Sequence, residues 1–292
     1  MSLVKVNSDP PKKTRLLNAC MGETLGTFIL VLFGTGSVAA AVYTGAQIGL
    51  WQVAAVWGFG VTIAIYVSGA VSGAHLNPAV SLAFVIFRRD QFPLDRLFAY
   101  WGSQLLGAIL AGVVVLILFN PFIDQFESDN GIVRGAEGSQ KSAMAFGEYF
   151  PNPAMFDSLS ISPFHAFAVE AFGTAILAMV IFALTERRNA GIPTNGMAPF
   201  FIGFTVAALI SLFAPITQAG WNPARDFGPR IVAALAGWGE IAIPGPEGGF
   251  WVYVLGPLVG APIGALIYKL VIETGLPGNN KELEEVVRSR YE

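Results

Sequence analysis

Gly220-Trp221-Asn222-Pro223-Ala224-Arg225-Asp226-Phe227-Gly228-Pro229 is the stretch on which the fold turns, and Ser72-Gly73-Ala74-His75-Leu76-Asn77-Pro78-Ala79-Val80 echoes it in the first half of the chain. In each, Asn-Pro-Ala stands directly ahead of an apolar run of about two to three helical turns, whereas crossing a bilayer takes about 20 residues. Asn is a strong N-cap, and Pro suits the first helical position because its missing N–H would go unpaired there anyway. Each triplet therefore predicts the start of a short helix, with the Asn amide turned away from it. A helix start also presents the positive end of a macrodipole. Two such starts, in corresponding halves of an apolar chain, predict two half-helices meeting inside a membrane around a polar path.

Composition places the chain in the same class. Of 292 residues, 54% are hydrophobic and 13% charged, with a mean hydropathy of +0.59. Soluble domains carry about a quarter charged residues, so this is the composition of a polytopic membrane protein. The net charge of −3 gives no footing for nucleic acid. A lone Cys20 allows no disulfide framework within the chain. The two histidines, His75 and His165, form no metal or catalytic constellation with the acids, so neither a cofactor nor an enzymatic reaction is expected.

Apolar runs predict six spanning helices at roughly 16–43, 51–71, 93–119, 163–185, 197–214 and 249–272, with half-spans at 77–87 and 222–236. The division is a polar tail at 1–15, one channel domain at 16–273 and a tail at 274–292. The domain splits into halves, 16–119 and 163–273, joined by a Gly-bearing connection at 120–162 that reads as a vestibule. The first tail is expected to be retained, because a full-length span with an acid inside it follows, not a short signal core. Residues 281–287 are a charged helix candidate that reads better as a solvated tail. Lys5, Lys12, Lys13, Arg15, Arg88, Arg89, Arg96, Arg187, Arg188, Lys269, Lys281, Arg288 and Arg290 fall in or beside the termini and even-numbered connections, against Arg134 and Lys141 in the odd ones outside the half-helices. The positive-inside rule then puts both termini in the cytoplasm, with the plasma membrane the expected site.

An internal repeat organises the whole. Glu23-Thr24-Leu25-Gly26-Thr27 returns as Glu170-Ala171-Phe172-Gly173-Thr174, Asn77-Pro78-Ala79 as Asn222-Pro223-Ala224, and Tyr100 through Gly107-Ala108 as Tyr253 through Gly260-Ala261. Three spans per copy force the second copy to enter from the opposite face, which makes the repeat inverted. Gly22, Gly26, Gly34, Gly36, Gly107, Gly173, Gly256 and Gly260 read as packing positions, since helices in lipid associate through close backbone approach.

The paired Asn-Pro-Ala motifs, the Ser72-Gly73-Ala74-His75 lead-in and the Arg225-Asp226-Phe227-Gly228-Pro229 follow-on resemble the aquaporin superfamily (major intrinsic proteins), most closely its glycerol-facilitator, or aquaglyceroporin, branch. The resemblance runs from about residue 17 to 273. It implies an all-α, right-handed bundle of six transmembrane helices plus two re-entrant half-helices, one pore per subunit, and a homotetramer.

For the pore, Asn77 and Asn222 each offer an amide donor at the centre, alternatively acting as helix caps and nothing more. By the resemblance, the carbonyls of Gly73, Ala74, His75 and Leu76, and of Gln218, Ala219, Gly220 and Trp221, face the pore as acceptors. Arg225 is an intramembrane charge and hence a functional candidate. Arg230 reads equally as a structural anchor or as nothing special. Glu23 and Glu170 are lone acids inside spans and are expected to accept backbone N–H groups of the re-entrant loops, with a proton relay as the weaker alternative.

Family spacing assigns the selectivity filter to Trp57, Ile210, Ala219 and Arg225. Water-selective members typically place Phe and His where this chain has Trp57 and Ile210, so an apolar wall facing Arg225 suits a polyol. Glycerol facilitators commonly pair Gly with Phe at the Ala219 and Ile210 positions. The set seen here is closer to that of plant nodulin-26-like proteins, and Tyr253-Val254 departs from the expected Pro-Leu. The expected function is a passive channel for glycerol and related small uncharged solutes, with some water conduction, excluding protons and ions. A water-dominant channel and an ion-coupled secondary transporter are the alternatives.

Overall fold

The computed structural model describes residues 16–156, 158–189, 191 and 196–278. The basic residues at positions 5–15 and the 281–287 segment therefore lie outside the described residues. In chain order the helices are α1 (Leu16–Thr44), α2 (Leu50–Ser72), α3 (Pro78–Phe87), α4 (Leu97–Asp129), α5 (Gln140–Ala143), α6 (Pro163–Leu184), α7 (Ala198–Thr217), α8 (Pro223–Ala233) and α9 (Val252–Ile267). Among the described residues there is no strand. Six helical stretches are long and apolar enough to span a membrane, α9 being lengthened by helical turns to Pro246–Gly275. The half-helices are α3, of 10 residues, and α8, of 11.

Lipid contact explains what these helices expose. Phe59, Phe98, Ile117 and Leu212 are all more than half exposed, as befits a surface that faces hydrocarbon and not water. With apolar residues outside as well as inside, hydrophobicity cannot drive the helices together, and small residues let their backbones close. The repeat shows in that packing. Gly107 on α4 lies against the Thr24 carbonyl of α1, and Gly260 on α9 lies against the Ala171 carbonyl of α6, where any Cβ would collide with backbone. Across the two halves, Gly58 of α2 and Gly203 of α7 each meet the other's carbonyl. We call the end of the bundle at which the described chain begins and stops proximal, and the opposite end distal.

Two expectations need correction. The fourth helix continues ten residues past 119, through Pro121 to Asp129. The apolar run stops there but the helix does not: Ile123 is buried, and Glu127 is satisfied by Arg134 (2.9 Å) and by the Ser142 hydroxyl (2.7 Å). The distal connection accordingly begins at 130, and it is partly helical at α5. Among the described residues nothing lies within 4 Å of where a Cβ on Gly36 would stand, so no helix packs closely there.

The contrast is testable by thermal unfolding in detergent. Gly260→Val should lower the midpoint, because overpacking costs about 1–3 kcal/mol. Gly36→Ala should leave it unchanged or raise it, since Gly in a helix interior is worth about 1 kcal/mol less than Ala.

Candidate functional site

Each re-entrant segment starts where a long helix is stopped by a left-handed residue, Gly73 (φ 86°) after α2 and Gln218 (φ 58°) after α7. The segments then carry further non-glycine left-handed residues: Ala74 and Leu76 in the first, Ala219 and Trp221 in the second. Such residues store strain of about 1–3 kcal/mol each and persist only when their surroundings over-determine them. The buried acids do this. Glu23 Oε1 accepts from His75 N (3.0 Å) and Oε2 from Leu76 N (2.7 Å), with Gln104 Nε2 also donating to Oε2 (2.7 Å). Glu170 Oε1 accepts from the Thr217 hydroxyl (2.6 Å) and Gly220 N (3.0 Å), and Oε2 from Trp221 N (2.8 Å). In each half, two consecutive N–H groups point at one carboxylate.

The two half-helices meet head to head through their capping residues. Asn77 Oδ1 accepts from Ala79 N (2.9 Å), while its Nδ2 donates to the Trp221 carbonyl (2.9 Å). Asn222 Oδ1 accepts from Ala224 N (3.1 Å), while its Nδ2 donates to the Leu76 carbonyl (2.8 Å). Each Asn thus caps its helix and also lines a cavity. One amide proton of each Asn ties the opposite segment down, and the second is left for another acceptor.

One cavity is lined by this junction and a second lies beyond it. The proximal one, about 170 Å³, is lined on one side by Gly73 to Asn77 and Gly220 to Asn222, and on the other by aliphatic residues such as Val61, Leu177 and Val206. The distal one, about 160 Å³, lies under the 130–162 connection and includes Gln218 and Glu148. Trp57, Ile210 and Arg225 line both, so they form the partition between the cavities. Ala219 lines the proximal cavity beside them. The Arg225 guanidinium sits 4.1 Å from the Trp57 ring centroid, a cation–π contact. Trp57 is seated on Gly34 and Trp221 on Gly173, at positions where a Cβ would overlap the indole.

Arg230, equivocal in the sequence, is a buried anchor. It binds Asp226 through Nε (3.0 Å) and Nη2 (2.8 Å), and the Ala242 carbonyl through Nη1 (2.9 Å). Asp226 Oδ1 in turn accepts from Glu148 N (2.7 Å), which stitches the distal connection onto α8. His75 contacts Ser81 Oγ (3.2 Å) among Phe84, Phe92 and Tyr100, whereas His165 is exposed at the start of α6. Among the described residues no group of His, Cys, Asp and Glu could hold a metal ion.

Sequence reasoning missed Glu148, whose Oε1 is in contact with Arg225 Nη2. The available signal was a single acid between Phe146 and the Tyr149-Phe150 pair, aromatic company unusual for a solvated loop acid.

The chain is similar to known proteins over most of its length. The family described as "Major intrinsic protein" matches residues 11–268. The glycerol uptake facilitator protein of Pseudomonas aeruginosa is 44% identical over 264 residues, covering 90% of this chain and 91% of that protein. The glycerol uptake facilitator protein of Haemophilus influenzae is 44% identical, covering 89% and 96%. Among solved structures, the X-ray structure of the aquaglyceroporin from Plasmodium falciparum matches with a TM-score of 0.75 at 29% identity, covering 88% of this chain and 97% of that one.

Glu170→Ala would leave Gly220 N, Trp221 N and the Thr217 hydroxyl without their acceptor. At about 1.5–3 kcal/mol for each hydrogen bond to a charged group, the thermal midpoint should fall steeply, and Glu170→Gln should fall less. An unaltered midpoint in Glu170→Ala would remove the acid from its supporting role.

Proposed function

The chain belongs to the major intrinsic protein family, and from that premise we propose that it is a passive channel for glycerol and related small uncharged solutes. Members of this family are channels, not enzymes, and this one is a multi-pass integral membrane protein. The observation that carries the reading is the partition formed by Trp57, Ile210 and Arg225. It brings two apolar side chains together with one guanidinium, which stands over the Trp57 ring. A polyol is built the same way, with C–H groups along one edge and hydroxyls along the other. The apolar side accepts the carbon chain, and the planar fork of Arg225 donates to hydroxyl oxygens.

Past the partition, a solute meets backbone carbonyls of the two re-entrant segments as acceptors and the free amide protons of Asn77 and Asn222 as donors. Their opposed half-helix dipoles hold the midpoint of the path positive, which repels protons and cations while letting water follow the solute. The ion-coupled transporter alternative needs an acid free to bind a cation. Glu23 and Glu170 are both occupied by backbone N–H groups, which favours the passive reading. The family resemblance further favours a homotetramer in the plasma membrane, and charge distribution favours cytoplasmic termini.

Stopped-flow light scattering on proteoliposomes tests the function. Glycerol entry should be fast, linear in glycerol concentration and independent of any ion gradient. Fast water flux without glycerol entry would replace this reading with a water channel, and saturable, ion-dependent entry would replace it with a transporter. Ile210→His, which swaps half of the apolar wall for a polar ring, should lower the glycerol-to-water ratio by about tenfold, the worth of some 1.4 kcal/mol at the partition.

A further inference from the structure

The path described above carries positive charge at two places. Two half-helix N-termini meet at its middle, and the Arg225 guanidinium stands at the partition. Such a field turns cations away and draws small anions in, so cation exclusion alone does not make the channel selective for uncharged solutes. Something has to offset the charge of Arg225.

Among the described residues lining the two cavities, Glu148 is the sole acid. It is only 2% exposed, and its backbone is clamped on both sides: N donates to Asp226 Oδ1 (2.7 Å), and the carbonyl accepts from Arg230 Nη2. This fixes the side chain where Oε1 meets Arg225 Nη2, while Oε2 has no hydrogen-bond partner. The other nearby charges are already balanced or turned elsewhere. Asp226 and Arg230 pair with each other, and Glu170 holds the second re-entrant segment. A buried carboxylate with one oxygen unpaired is costly, and its ion partner is the group that makes its position tenable.

We propose that Glu148 is a further selectivity residue: paired with Arg225, it cancels the positive charge facing the distal cavity and bars small anions from the path. The inference rests on the channel reading. It makes the partition a neutral ion pair braced by the distal connection. The Arg225 donors toward the solute are kept while the net field that would recruit anions is removed.

The test uses full-length protein in proteoliposomes, with glycerol entry read by light scattering and iodide entry by an entrapped halide-quenched dye. The unmodified protein should pass glycerol and hold iodide at the level of protein-free vesicles. Glu148→Gln, close in shape but uncharged, should raise iodide entry by roughly tenfold, the effect of one unit charge across a narrow pore at intermediate dielectric. Glu148→Ala carries the same expectation should Glu148→Gln not be recovered folded. The double variant Glu148→Gln with Arg225→Gln should return iodide entry to the unmodified level, because both charges are gone. Iodide entry unchanged in the single variants, or persisting in the double variant as a steric leak would, overturns the role of Glu148. Absence of glycerol entry in the unmodified protein would instead overturn the channel reading itself.

Discussion

The structure depends on one constraint: backbone polar groups inside a bilayer must find partners within the protein. Two segments of this chain leave the helical state at membrane depth, and neither could exist without the carboxylates of Glu23 and Glu170, which take up consecutive N–H groups. The crossed bonds from Asn77 to Trp221 O and from Asn222 to Leu76 O then lock the two segments against each other. A polar path through an apolar bundle follows from satisfying the backbone.

The scaffold is two-fold, but the chemistry on it is not. Three residues after the capping Asn, the first segment carries Val80 and the second Arg225; one residue before it stand Leu76 and Trp221. The Glu-backbone supports and the glycine contacts of Gly107 and Gly260 repeat in both halves, because they serve folding. The partition of Trp57, Ile210 and Arg225 between the two cavities occurs once and has no counterpart in the first half. Asp226 and Arg230 belong to this asymmetric layer as well. They tie the distal connection down so that it can carry Glu148 to Arg225.

What could be read from the sequence follows the same division. The half-helix starts were legible because Asn and Pro act locally: a cap and a fixed φ need no tertiary information, and α3 and α8 begin at Pro78 and Pro223. The six spans were legible because membrane length sets the count. The course of α4 beyond residue 119 was not. Hydropathy marks where lipid ends, not where a helix ends, and the last turns are held by Glu127, Arg134 and Ser142. Gly36 could not be told from Gly107, because a glycine does not announce which face of its helix is covered. Glu148 stayed hidden because its partner is 77 positions away in a different element, and loop acids are ordinarily solvated.

The central claim is that solute crosses between Trp57, Ile210 and Arg225, and it is tested most directly by closing that place. Ala219 lines the path just proximal to the partition, and Cys20 is the sole native cysteine. In a Cys20→Ser background, Ala219→Cys should conduct glycerol until a bulky thiol reagent is added and then lose glycerol and water flux together. The Cys20→Ser parent should be indifferent to the reagent. Full flux through Ala219→Cys after confirmed labelling would contradict the account, because the path would then have to run elsewhere in the molecule.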